Sequence, residues 1–367
     1  MAWITETILR RYGIAGSIVG ETELHGGNVN RTYCVTVRDG VLRTRYLVQK
    51  LNPEAVRKPR QMLRNMVVVT DHLIRKGIRT AKLYPVGVSG ERFLELRCPV
   101  GGTVRTEYWR VEEYLDSAEL TAEEPGVLLA MARAFGRFDA ALADLPAGRL
   151  LGADKGFHDT YGWFRKLWTA AAEDPCGRTA EVRDELRDLK ALECEAEEIS
   201  LRYASGEYPV RVTHNDTKFN NVLFTENVPP YGAIVIDFDT VMEGMVAYDF
   251  ADSVRSTAKI VGGTAEEPEV RLDTEKFRVI AEGYLTETAK ILNPPEIEAM
   301  APCTLAVTAE LSARYLTDYL RGDRYFKIAN PRQNLQKARL NLAFAKDIRA
   351  GMESLKNIIR EEAARLK

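Results

Sequence analysis

Long apolar runs are missing from this chain. No stretch approaches the ~18–20 residues that a membrane-spanning helix needs, so a membrane protein of that kind is not expected. Excess basic charge is missing too. Lys and Arg number 51 against 53 Asp and Glu, a formal net charge of -2, and no basic tract stands out. Neither nucleic acid nor an anionic membrane surface is therefore an expected partner. Cysteine is sparse: Cys34, Cys98, Cys176, Cys194 and Cys303 are scattered, odd in number and without C-x-x-C spacing. That pattern speaks against a disulfide framework or a zinc site and fits a reducing compartment. The opening "MAWITETILRRYGIAG" lacks a charged-then-apolar leader, which with the cysteine usage points to a cytoplasmic location. A G-x-S-x-G elbow is also lacking, which removes a Ser-His-Asp hydrolase from consideration.

What is present reads as an ordinary globular chain. With 367 residues, 45% hydrophobic and 28% charged, it is long for one domain and predicts two, or one with a large lobe. Residues 21–52 alternate as strands. "TYCVTV" sets Tyr33, Val35 and Val37 on one face, "RYLVQKL" forms a partner run, and "RDG" turns between them. Helical period takes over at 59–76, where Leu63, Met66, Val67, Thr70, Leu73 and Ile74 form a stripe and Lys76-Gly77 a stop. Short strands follow to about 114, ending in "YWRVEEYL". From about 121 the pattern is mainly helical, with a broad stripe through Leu128, Met131, Phe135, Phe138, Leu142 and Leu145. Two β-like runs, "NVLF" and "AIVIDF", interrupt it at 210–240. The reading is an α+β chain, with a β-rich lobe at 1–117 and a larger helical lobe at 118–367.

The chemistry concentrates in "VTHNDTKFNNVLF", where eight consecutive positions hold His214, Asn215, Asp216, Thr217, Lys218, Asn220 and Asn221. If "NVLF" and "AIVID" pair antiparallel, Asn221 enters the pair and Asp237 leaves it, at one mouth beside the loop bearing Asp216. An amide oxygen and a carboxylate at one point suit magnesium, a hard cation. Phosphoryl transfer from ATP needs such an ion, and a carboxylate to take the proton of the attacking hydroxyl. The order His-x-Asp, four residues, Asn, then a strand-borne Asp is the order kinases use. Asp216 is the expected base, Lys218 the contact to the transferred phosphate, and Asn221 and Asp237 the metal ligands. His214 is expected to brace the loop. Asp239 is open between a second ligand and a loop-fixing group. Asp249, in "AYDFADSVRS", reads as a capping or loop-fixing carboxylate rather than a ligand.

Nucleotide binding is expected from the first lobe. In "HGGNVNRTY", Gly26 and Gly27 permit close backbone approach to phosphate, with Asn28 and Asn30 alongside. Backbone groups around Glu112, Glu113 and Tyr114 are candidates to read adenine. Kinases usually hold the phosphates with a strand lysine paired to a helix glutamate. Here the strand reads "YLVQKL", and Gln49 and Lys50 point to opposite faces, so only one can serve. The helix after it has no acid in its middle.

The motifs "GGNVNRTYCV", "YLVQKLN", "RVTHNDTKFNNVLF", "IDFDTVMEG", "DFADSVR" and "RYLTDYLRGDRYF" resemble the aminoglycoside phosphotransferase and choline kinase superfamily. They are most similar to its N-acetylhexosamine 1-kinases, in the same order over about residues 20–345. That resemblance implies a protein-kinase-like bilobal fold and ATP- and Mg2+-dependent phosphorylation of the anomeric hydroxyl of GlcNAc or GalNAc. It implies Asp216 as base, Asn221 and Asp237 as metal ligands, and glutamine in place of the strand lysine, which Gln49 matches. Arg314 and Tyr325 would contact the sugar, the alternative being ordinary helix surface. The chain departs from that branch at "SVRSTAKI" and in "NLQKARLNLAFAKDI". Other acceptors of the superfamily (choline, homoserine, an aminoglycoside, another sugar) are alternatives, as is a nucleotide-binding pseudokinase. Choline would ask for an aromatic or acidic cage.

Overall fold

Alternation of apolar and polar residues builds the first of two compact units in this computed structural model. The structure describes residues 5–24, 30–52, 56, 58–100, 103–152 and 157–366. Unit one comprises residues 1–117 with 149–153, and unit two 118–148 with 154–367. A short helix α1 (Glu6–Arg11) precedes β1 (Ser17–Leu24), β2 (Arg31–Asp39) and β3 (Leu42–Lys50). Helix α2 (Pro59–Arg75) separates these from β4 (Leu94–Val100) and β5 (Thr103–Glu113). The sheet is antiparallel throughout, in the order β1-β2-β3-β5-β4. Asp39 pairs with Leu42, leaving a two-residue turn whose Gly40 has φ +59. Such left-handed backbone suits the right-handed twist of a hairpin and favours glycine.

Tyr33, Val35 and Val37 are buried with Val48, Trp109 and Val111 against Ile8, Leu9 and Tyr12. A second cluster joins Leu51 to Met62 and Leu63 of α2 and to Phe93. The α2 stripe is turned slightly from the expected one. Leu63, Met66, Thr70 and Leu73 are buried, but Ile74 is 43% exposed and Met62 and Val69 are buried instead. Asn65 lies on the buried face as well. Its Nδ2 donates to the Leu151 carbonyl at 2.8 Å and its Oδ1 accepts the Leu151 N–H at 2.7 Å. This two-way pairing ties Leu151 to α2 within unit one. Hydrophobic periodicity cannot register a polar anchor of that kind.

Unit two holds α3 (Pro125–Leu142), α4 (Thr160–Glu173), α5 (Arg183–Ala204), β6 (Arg211–Thr213), β7 (Val222–Phe224), β8 (Ala233–Val235), β9 (Met242–Gly244) and α6 (Val246–Thr257). It continues through β10 (Lys259–Gly263), β11 (Pro268–Leu272), α7 (Thr274–Thr288), α8 (Pro294–Leu320), α9 (Gln333–Ala350) and α10 (Met352–Arg365). β7 pairs with β8 and β6 with β9, both antiparallel. The β10–β11 hairpin and the three-residue β6 and β9 lie outside the sequence expectation, since three residues are too few to display a period of two. All six apolar residues of the expected stripe are buried, five on α3 and Leu145 just past its end. The start of α8 carries a capping box between Asn293 and Glu296. Glu296 also receives Arg211 through Nε at 2.6 Å and a terminal nitrogen at 2.8 Å, fixing β6 to that helix. No helix among the described residues is long and apolar enough to cross a membrane.

Replacing Asn65 by Ala leaves the Leu151 peptide groups without partners. Such a loss costs roughly 1–3 kcal/mol. Urea unfolding of Asn65→Ala is expected to show a lower midpoint, and an unchanged midpoint would mean that the pairing carries no stability.

Candidate active site

The loop between β6 and β7 is clamped from several sides. Asp249, on α6, accepts the backbone N–H groups of His214 at 2.6 Å and Asn215 at 2.7 Å. Thr217 Oγ1 donates to the Asp249 carbonyl, and Ser253 Oγ donates to the Thr217 carbonyl at 3.0 Å. Thr240 Oγ1 donates to the His214 carbonyl at 2.7 Å. His214 is fully buried. Its Nε2 donates to the Ile236 carbonyl at 2.9 Å, and its ring packs on Phe135, Phe138 and Phe238. Asn215 adopts φ +64, a conformation Asn tolerates better than most residues. Its side chain bonds the Thr213 and Thr240 carbonyls. Gly244 lies so close that a Cβ there would come within 2.2 Å of Thr213 Oγ1.

With the loop's backbone engaged, its working side chains face outward. Asp216 Oδ2 accepts Lys218 Nζ at 2.6 Å and Asn221 Nδ2 at 2.9 Å. The same Asn221 nitrogen donates to the Asp216 carbonyl at 2.8 Å. Burial works to depress the Lys218 ammonium, but Asp216 first, then Asp237 and Asp252, outweigh it and hold its pKa above the ordinary value. Asp237 therefore lies in the same electrostatic field as Lys218 and Asp216. The β7–β8 hairpin places it there: Ile236 N–H donates to the Asn221 carbonyl at 3.0 Å, and Asp237 follows directly, exposed, with φ +66. β8 ends at Val235, and Phe238–Thr240 is a 3-10 turn. Asp239 is thus not a continuation of the strand face.

The donor chemistry here fits magnesium. The Asn221 nitrogen is turned to Asp216, so its amide oxygen is the pole left for a cation, with the Asp237 carboxylate beside the hairpin exit. Among the described residues no group of three His, Cys, Asp or Glu side chains is set to hold a metal. Mg2+ typically uses one or two protein carboxylates and completes its shell with phosphate oxygens and water.

A wall of polar and aromatic side chains adjoins this loop within unit two. Arg314, on α8, sits over the Phe157 and Trp163 rings, 5.3 and 4.9 Å from their centroids, and 3.7 Å from Glu310. His158 lies 3.6 Å from the same Glu310. Burial raises the Tyr315 hydroxyl's pKa, against lowering by Arg255, Arg314 and Lys218. Several buried polar atoms here have no hydrogen-bond partner among the described residues: both His158 nitrogens, Trp163 Nε1, Arg314 Nε and Asp252 Oδ2. Buried polar atoms are nearly always satisfied, and their gathering beside the Asp216 loop makes this wall a candidate place for a ligand. Tyr325 is 64% exposed and packs edge-on against Phe326. Phe326 in turn stacks on Tyr315 at 4.4 Å. The sequence reading named Arg314 and Tyr325 and did not reach Tyr315, Trp163 or His158.

In unit one, Gly26, Gly27 and Asn28 lie outside the described residues. Asn30 Oδ1 accepts the Asn52 N–H at 3.0 Å, tying β2 to the end of β3. Gln49 Nε2 donates to Thr32 Oγ1 at 2.9 Å. Lys50 is committed to Glu107 and lies over the Trp109 ring. Gln49 is opposite Arg110 in register, and Arg110 is buried with Glu112, 2.6 Å apart. The Glu113 N–H donates to the Lys82 carbonyl at 2.8 Å, and its carboxylate takes Arg79 in two bonds. Tyr114 is stacked by Arg45, 4.5 Å from its centroid.

The family model described as the phosphotransferase enzyme family matches residues 21–278. The chain belongs to that family. Its fold is protein-kinase-like, with an antiparallel sheet unit and a helical unit. Among solved structures it is similar to a microcompartment-associated aminopropanol kinase, at 17% identity over 99% of each chain and a TM-score of 0.60. It is similar to an aminoglycoside phosphotransferase from Alicyclobacillus acidocaldarius, at 16% identity over 98% of each chain and a TM-score of 0.62. A choline kinase from Cryptosporidium parvum matches at 14% identity, covering 93% of this chain and 91% of that one, with a TM-score of 0.57.

In this family member the clamp on the loop rests on a second carboxyl. Asp139, on α3, is wholly enclosed, and burial followed by the charge of Asp249 pushes its pKa well above the carboxylate range. Burial raises the pKa of Asp249 as well, so the two carboxyls hold a proton more readily than they would apart. The sign of the linkage follows. Unfolded Asp139 ionises near the ordinary value of about 3.9, while the folded form keeps its proton. Stability is therefore full below that value and falls as pH rises toward the raised folded pKa. Asp139→Asn keeps a donor and cannot ionise. Its stability relative to the parent, from urea unfolding between pH 5 and pH 8, is expected to rise with pH. A difference that does not change with pH would refute a protonated Asp139.

Proposed function

We propose that this protein is an ATP- and Mg2+-dependent kinase that phosphorylates the anomeric hydroxyl of an N-acetylhexosamine, GlcNAc or GalNAc, or of a related sugar. The observation that carries the reading is the Asp216 carboxylate, fixed by Lys218 and Asn221 on a rigidly clamped loop, beside a wall of buried donors without partners. A carboxylate so held can orient an acceptor hydroxyl and take its proton as the new phosphorus–oxygen bond forms. The bond from the γ-phosphorus to the ADP oxygen breaks, and ADP leaves with that electron pair. Lys218 is suited to follow the charge on the transferred group. Asn221 and Asp237 would hold the metal, which when bound supplies neutralisation of the phosphate charges.

His158, Trp163 and Arg314 offer donors and Asp252 an acceptor, a set suited to a ring bearing several hydroxyls. In unit one, Gln49 and Asn30, with the glycines at 26 and 27, Asn28 and the 112–114 backbone, remain the proposed nucleotide contacts. The solved structures of similar fold include a choline kinase and an aminopropanol kinase, which makes an amino-alcohol acceptor the second reading. The cations Lys218, Arg255 and Arg314 around Tyr315 work against it, because an ammonium there meets like charge.

Two measurements test this. Asp216→Asn is expected to lower kcat by roughly 10²–10⁴-fold with nucleotide affinity kept. Wild-type turnover in that variant would remove the base assignment. Product analysis after incubation with ATP, Mg2+ and a sugar panel is expected to show phosphate at the first carbon and loss of the reducing end. A 6-phosphate would refute the anomeric site, and no turnover of any acceptor despite ATP binding would favour a pseudokinase.

A further inference from the structure

We propose that the acceptor carries a carboxylate, bound by the terminal guanidinium nitrogens of Arg255 and the ammonium of Lys259; this deepens the kinase reading and rests on it. Arg255 closes the motif "DFADSVR" that the chain shares with the N-acetylhexosamine 1-kinases, and Lys259 follows it in the stretch where the chain departs from them. The geometry begins with α6. Its Asp249 and Ser253 clamp the catalytic loop, and Asp252 and Arg255 stand on neighbouring rows of the same helix. Arg255 donates through Nε to Asp252 Oδ1 at 2.7 Å. Its terminal nitrogens make no hydrogen bond to any described residue, although the side chain is only 14% exposed. Lys259, two residues past the helix end, reaches only the Arg255 carbonyl, at 3.5 Å. It forms no ion pair among the described residues.

Arg255 is thus paired with one carboxylate and Lys259 with none among the described residues. Burial and then the Arg255 charge pull the Lys259 ammonium down to about 8, the response of a cation short of negative charge. The pair is within the field of the working loop: Asp216 acts on Arg255, and Lys218 acts on Asp252. An anion arriving here would complete the charge balance and take the open fork of Arg255, whose planar donors match a carboxylate.

The transferred phosphate is the competing anion, and Asp252 separates the two. Its Oδ2 is buried and without a hydrogen-bond partner among the described residues, a place for a ligand that brings a donor as well as a negative charge. An ionised phosphoryl group brings acceptors only. A sugar acid brings hydroxyl donors and a carboxylate on one frame. One acceptor of that kind meets both Asp252 and the two cations.

The test uses the full chain with ATP and Mg2+ and acceptors paired to differ in the acid alone: glucuronic acid against glucose, galacturonic acid against galactose, and GlcNAc bearing a 3-O-lactyl ether against GlcNAc. One acidic member is expected to exceed its neutral partner in kcat/KM by about tenfold or more, the scale of a charge-assisted hydrogen bond. Arg255→Gln and Lys259→Met are each expected to cut that ratio about tenfold, through KM for the acid, with KM for ATP little moved. Lys259→Met leaves the Arg255–Asp252 pair intact, so it serves if Arg255→Gln fails to fold. A preference for neutral sugars that Lys259→Met does not alter overturns the proposal and leaves the kinase reading standing. An equal fall on all acceptors with a raised KM for ATP overturns it in favour of phosphate binding. No turnover of any acceptor overturns the kinase reading beneath it.

Discussion

The second unit depends on one carboxylate receiving two consecutive backbone N–H groups. Asp249 holds His214 and Asn215, and with the Asn215 side-chain bonds to the Thr213 and Thr240 carbonyls it keeps Asn215 at φ +64, a backbone state that costs of order 1 kcal/mol or more. Hydrogen bonds to an ionised acceptor in a dry interior are among the stronger a protein makes. Asp139 supports this by standing protonated beside Asp249, so that two carboxyls occupy one enclosed space with a single charge between them. Remove that charge and the loop loses its two strongest backbone bonds, with the Thr240, Ser253 and Asn215 contacts left to hold it. Asp216 and Lys218 would then lose the frame that fixes their separation.

The same helix links the loop to the neighbouring wall. From α6, Asp249 and Ser253 face the loop, while Asp252 and Arg255 join the side that Tyr315, Arg314 and His158 approach from other elements. Helical spacing makes this economical, since residues three and four apart are neighbours on one surface. A single rigid element therefore sets both the position of the candidate base and the charge around the candidate acceptor.

Legibility in the sequence varied with how local the signal was. The β2–β3 hairpin and the α3 stripe could be read because each rests on residues close in the chain. The β7–β8 pair was legible from two apolar runs around a turn, and it brings Asn221 beside Asp216. The choice between Gln49 and Lys50 was not legible, since alternation shows only that they oppose each other. It took Glu107 and Trp109 on another strand to show where Lys50 is engaged. Asn65 was hidden because its partner is Leu151, 86 residues away. Trp163, His158 and Tyr315 carry no motif, and only their gathering around Arg314 and Glu310 distinguishes them from ordinary helix residues.

The sequence alone determined the class of chemistry: His-x-Asp, Asn and a strand-borne Asp at kinase spacing, in a chain without basic excess, membrane-length runs or a cysteine framework. Those are properties of short segments, and short segments keep them wherever the fold carries them. The tertiary structure decided which polar atoms are buried without partners, which cations lack counter-charges, and which carboxyl keeps its proton. Each of these depends on groups remote in the chain being excluded from water together, and no spacing along the sequence encodes that exclusion.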